Sequence, residues 1–90
     1  MFDIILFMNK QKISNGVVHK VPTDLRKILT TKSAVRTVWE DITPLARNEW
    51  ICWIESAKKL ETRNRRIKIM CEKLIAGDRR PCCWAGCTHR

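Results

Sequence analysis

The chain has 90 residues with 18 Lys+Arg against 9 Asp+Glu, a formal charge of +9, which reads as one small, strongly basic domain. No run approaches the roughly 18 apolar residues that span a bilayer, and residues 1–8 lack a basic n-region, contain Asp3 and are too short for a secretory leader. The charge suits an anionic partner such as nucleic acid, a lipid head group, a phosphate ligand or an acidic protein face, without choosing among them. Five cysteines, an odd number, read as reduced thiols in the cytoplasm. A chain this short has a limited core, open to support from a partner or a second copy in a homo-oligomer.

In chain order, residues 2–8 suit a short buried strand or a terminal segment packed on helices. Residues 9–20 are polar and contain the turn signal Ser14-Asn15-Gly16. Residues 2–8 and 17–21 would be the arms of a hairpin, marginal if left alone. Pro22 opens the helical part. Thr23 is an N-cap candidate with Asp24 in the first turn, and Leu25, Ile28 and Leu29 form the buried side. Ser33 is the next N-cap candidate, for a helix whose apolar face is Val35, Val38, Trp39 and Ile42.

The strongest pattern follows. Thr43 reads as an N-cap with Pro44 at the first helical position, where its missing N–H costs nothing. Ala46, Trp50, Trp53, Ile54 and Ala57 make a helical stripe, widened by Ile51 and Cys52, so this helix is covered on more than one side. The predicted corner is Lys59-Leu60-Glu61-Thr62, with Thr62 as another N-cap candidate. Beyond it, Ile67, Met70, Cys71, Leu74 and Ile75 form an amphipathic face, opposite Arg63, Arg65, Arg66, Lys68 and Lys73. Gly77 is placed to end the helix in the left-handed conformation. Trp39, Trp50 and Trp53 lie on apolar stripes and are expected in the core. The fold class that results is all-α: a small bundle of about four helices, a short N-terminal strand or hairpin, and an irregular Cys-rich tail. A single domain over residues 1–90 divides into an N-terminal segment 1–20, a helical core 21–77 and the tail 78–90.

The run Pro44, Arg47, Glu49, Trp53, Ile54, Ala57 and Lys58, then Glu61-Thr62-Arg63, Arg65-Arg66-Ile67, and Leu74 with Gly77, resembles the bacterial YdeI/OmpD-associated family, often labelled bacteriocin-protection. The likeness extends over roughly residues 21–77. It implies an all-helical domain with no established enzymatic activity, and a link to envelope stress and protection from antimicrobial peptides that supplies no mechanism. Many members place a small β-barrel domain first, and the roughly twenty residues before Val21 are too few for one.

Two candidate sites stand beside their plain structural readings. Lys58, Glu61, Arg63, Arg65 and Arg66, around Thr62, would hold an anion near a helix N-terminus. The structural reading is local pairing of Glu61 with Arg65 and Lys58 on a solvated face. Three arginines at a helix start oppose the dipole, so something negative should offset them. In the tail, Cys82, Cys83, Cys87 and His89 carry zinc-ligand chemistry. The Cys-x-x-Cys knuckle is absent, however, and exposed thiols in an unstructured tail are the structural reading. Cys71 or a second chain would have to complete such a site.

No nucleophile elbow, phosphate loop or His-Glu-x-x-His motif is present, so the expected role is non-enzymatic. It is a helical interaction module that holds an anionic partner at the basic corner. Nucleic-acid binding through the basic face of the last helix is one alternative, with only Asn64 available there as an amide base reader. A zinc- or redox-responsive tail is the other.

Overall fold

The computed structural model describes residues 13–81. Four helices follow in chain order: α1 (Thr23–Thr31), α2 (Ser33–Asp41), α3 (Pro44–Glu55) and α4 (Leu60–Ala76). No strand occurs among the described residues. The expected hairpin arm at 17–21 is irregular backbone, and the arm at 2–8 lies outside the described residues. The arm at 17–21 fails because its backbone groups bond to side chains, as detailed below.

α4 is the longest helix and packs on both α2 and α3, while α1 packs on α2. The core runs through Leu25, Leu29, Val35, Trp39, Ile42, Trp50, Ile51, Ile54, Met70 and Leu74, all essentially buried. Six consecutive residues of α3, from Ala46 to Ile51, are buried. A helix buried all round in a domain this small must be covered on one side by something other than the other helices. The segment 13–22 and the segment after α4 provide that cover. Trp50 and Trp53 meet edge to face, with ring centres 5.6 Å apart.

The caps explain most differences from the sequence reading. Thr43 does cap α3, its Oγ1 accepting from Ala46 N–H at 3.0 Å, with Pro44 in the first turn. Thr23 and Ser33 do not cap. Each is the first residue of its helix, and Pro22 and Lys32 hold the N-cap positions without side-chain bonds. Thr62 lies inside α4, which starts at Leu60 behind Lys59. The corner therefore spans residues 56–59, earlier than expected. Ile75 is 55% exposed while Leu74, in the same last turn, is 1% exposed, so Ile75 lies at the edge of the apolar face rather than in it.

α4 stops in a Schellman motif. Gly77 has φ +103°, its N–H donates to the Leu74 carbonyl, and Asp78 N–H donates to the Lys73 carbonyl at 2.8 Å. Lys73 Nζ and Asp78 Oδ2, 3.7 Å apart, join the two ends of the motif where an apolar contact often sits.

Candidate functional site

Charge on this surface has two destinations. The first is internal. Each of the first three helices ends under an arginine from the next helix. Arg36 on α2 donates to Thr30 O of α1 at 3.3 Å. Arg47 on α3 donates to Trp39 O and Ile42 O at the end of α2, at 3.2 and 2.7 Å. Arg66 on α4 donates to Trp53 O at 2.6 Å and to Ser56 Oγ at 2.8 Å at the end of α3. A guanidinium is suited to this place, since the last carbonyls of a helix lack partners and carry the negative end of its dipole.

The predicted corner is largely consumed by this use. Arg63 is held by Asp24 of α1, with Nε to Oδ2 at 2.5 Å and Nη2 to Oδ1 at 3.1 Å. That hydrogen bond is the main reason the Asp24 carboxyl lies below its usual range, with burial opposing it. Arg66 also lies 5.2 Å over the ring of half-buried Trp53. The negative groups that the helix dipole called for are thus Asp24 and the carbonyl end of α3. Among the described residues, Glu61 makes no ion pair with Lys58 or Arg65. Of the corner cations, Lys58 and Arg65 stay exposed. The tail ligands Cys82, Cys83, Cys87 and His89 lie outside the described residues, and no group of three His, Cys, Asp or Glu suited to a metal occurs among those described.

The second destination is a cleft between α1 and α4, of about 660 Å³. Ile28, Ile67 and Cys71 line its apolar part. Lys27, Lys32, Asn64 and Lys68 stand around it with Asp24 and Glu72. Asp24 is already engaged by Arg63, so the three lysines outnumber the remaining carboxylate. None of the three is in an ion pair with a described residue. Cys71 is 8% exposed. Burial raises its thiol pKa, although Lys32 pulls the other way, so it stays a neutral thiol near pH 7 and behaves as an apolar wall.

Sequence reasoning missed this cleft because its rim comes from helices about forty residues apart. It also missed the polar interior of α3. Arg47, Asn48 and Glu49 are 8%, 0% and 3% exposed. Asn48 Oδ1 accepts from Val18 N–H and His19 N–H at 3.0 and 2.7 Å, while its Nδ2 is buried without a partner among the described residues. Arg47 Nε donates to Asn15 O at 2.9 Å. Trp39 Nε1 donates to Ser14 O at 2.9 Å, and Glu40 accepts from both Ser14 N–H and Ser14 Oγ. These bonds hold residues 14–19 against α2 and α3. Gly16 makes the contact sterically feasible, since a Cβ there would stand 2.5 Å from Asn48 Cα. A signal was available: three consecutive polar residues inside an apolar helix call for buried partners.

The fold and its surface define a small all-α domain with no helix, among the described residues, long and apolar enough to cross a membrane. The bacteriocin-protection, YdeI or OmpD-associated family model matches residues 19–77, well over half of the chain, and the chain belongs to that family. No curated protein and no solved structure matches it.

Proposed function

We propose that this domain is a non-catalytic interaction module that holds an anionic group of a partner over the α1/α4 cleft. The observation that supports this is the arrangement of Lys27, Lys32 and Lys68 around Ile28, Ile67 and Cys71. Ammonium groups above an apolar floor favour a ligand that carries a carboxylate or phosphate together with a greasy portion. The reading moves the binding region from the corner to the cleft, because Arg63 and Arg66 already have internal partners. Lys58 and Arg65 then steer the approach of the ligand without contacting it.

Monomeric dodecyl phosphate is a suitable probe. Titrated into the full chain, it should shift the backbone resonances of Ile28, Ile67 and Cys71, and dodecanol should do so at least tenfold more weakly. Changing Lys27, Lys32 and Lys68 together to Ala should weaken phosphate binding by about tenfold or more, or ~1.4 kcal/mol, with the melting temperature nearly unchanged. Shifts centred on Lys58 and Arg65 would return the site to the corner. A steep salt dependence with oligonucleotides, and no response to the amphiphile, would favour nucleic acid instead.

A further inference from the structure

Beyond the Schellman turn, residues 78–81 fold back over α2 and α3 as a strap. Trp50 Nε1–H donates to the Arg79 carbonyl at 2.9 Å. Arg79 Nη2 reaches Asp41 Oδ2 at 2.6 Å. Arg80 forks onto Glu49 through Nε and Nη2. We propose that Asp41, Glu49 and Trp50 form a socket for a diarginine segment of another polypeptide, which the chain's own Arg79-Arg80 occupies in cis.

Three features carry this. Each contact reads a different part of one dipeptide: a planar fork on Glu49, a second guanidinium on Asp41, and the main-chain carbonyl between them on the Trp50 indole. Two parallel N–H···O bonds to one carboxylate discriminate arginine from lysine. The second feature is an asymmetry of burial. The Glu49 side chain is 4% exposed while that of Arg80 is 56% exposed, so the receiving group is built into the helix and the occupant lies on the surface. A guanidinium that leaves so buried a carboxylate is most readily replaced by another that makes the same fork, so the strap leaves by exchange. The third feature is the tether. The strap joins α4 through Gly77, around whose Cβ position nothing lies within 4 Å. The junction itself is therefore not packed against the helices, and the strap is held on them by its bonds to Trp50, Asp41 and Glu49.

A tethered occupant competes at an effective concentration of about millimolar. A free peptide should therefore bind the native chain weakly and a strap without its arginines strongly. The probe is fluorophore-labelled acetyl-Asp-Arg-Arg-Pro-amide, followed by anisotropy against the full chain. The Arg79→Ala/Arg80→Ala variant should bind it saturably and at least tenfold tighter than the native chain. The Lys-Lys version of the peptide, of equal charge, should bind that variant at least tenfold more weakly. Adding Glu49→Gln should abolish binding. Equal affinity of native chain and variant, or equal binding of the Lys-Lys peptide, overturns the proposal. If the double variant does not fold, Arg80→Lys keeps the charge, removes only the fork, and is compared with the native chain by the same criteria.

Discussion

The α2/α3 side of this domain and its α1/α4 side use polar residues in opposite ways. On the first, Arg47, Asn48 and Glu49 point inward and are almost fully buried, and they bind the segments that flank the bundle. On the second, Lys27, Lys32 and Lys68 stand around a cleft, with no ion pair to a described residue. A formal charge of +9 suggests one broad electrostatic surface. The structure divides most of it. Arg36, Arg47 and Arg66 terminate helices and Arg63, Arg79 and Arg80 engage carboxylates, while Lys27, Lys32 and Lys68 remain for solvent or a partner. Exposed Arg65 and the Lys73–Asp78 pair fall outside the pattern. The chemical difference fits the division, since a guanidinium satisfies several carbonyls from one position and an ammonium does not.

The largest effect that would break this comparison is predicted at Arg47. Arg47→Ala leaves the carbonyls of Trp39, Ile42 and Asn15 without their donor. The expected loss is about 2–4 kcal/mol, since a buried acceptor left without its donor costs roughly 1–3 kcal/mol and several share this one. Urea unfolding measures it directly. A loss under ~1 kcal/mol would mean that water replaces the side chain and that this half is not held from within. By contrast, Lys68→Ala on the other side should change stability by no more than about 0.5 kcal/mol.

Gly16→Ala comes next. A methyl group there would stand 2.5, 2.6 and 2.7 Å from Asn48 Cα, Cβ and N, and helix backbone cannot yield as a flexible side chain can. The loop must move away and loosen the bonds from Val18 and His19 to Asn48. A cost of about 2–3 kcal/mol is expected, with faster amide hydrogen exchange at Val18 and His19. Gly77→Ala sharpens the contrast between the two glycines. Nothing crowds that position, so only the left-handed φ opposes a side chain, and about 1–2 kcal/mol is expected. Thermal unfolding should rank the two variants in that order.

The legible part of the fold was whatever repeats along a helix. Thr43 with Pro44, the stripe through Trp50 and Ile54, the buried set Ile67, Met70, Cys71 and Leu74, and Gly77 as the stop all follow from local spacing and cap chemistry. The helix starts at Thr23, Ser33 and Leu60 were less legible, because a Thr or Ser one residue away from the cap position has the same composition and a different role. The candidate site was least legible. That Arg63 meets Asp24, and Arg66 the end of α3, depends on how helices cross, which no run of residues records. The sequence does state that cations at the start of α4 need a negative neighbour. It does not state that the neighbour sits inside the protein.

The smallest effect separates these last two possibilities. The Arg63–Asp24 pair is partly exposed, with side chains 23% and 35% accessible, so solvent screens it and its contribution should be below about 1 kcal/mol. Its signature is its dependence on pH. Asp24 has a lowered pKa in the folded chain, first through the Arg63 hydrogen bond, so the folded state holds its proton less tightly than the unfolded chain. The pair's contribution is then fully present above the unfolded value of about 3.9. It is lost as the pH falls below that value toward the lowered folded one. Asp24→Asn removes this component, so the stability of native chain and variant should differ by a constant amount from pH 7 down to about 5 and converge below 4. Parallel curves across that range would mean that Arg63 does not engage Asp24 in solution. Arg63 would then be a free cation close to the cleft that Asp24 lines, and the cleft and the corner would merge into a single anion-binding face.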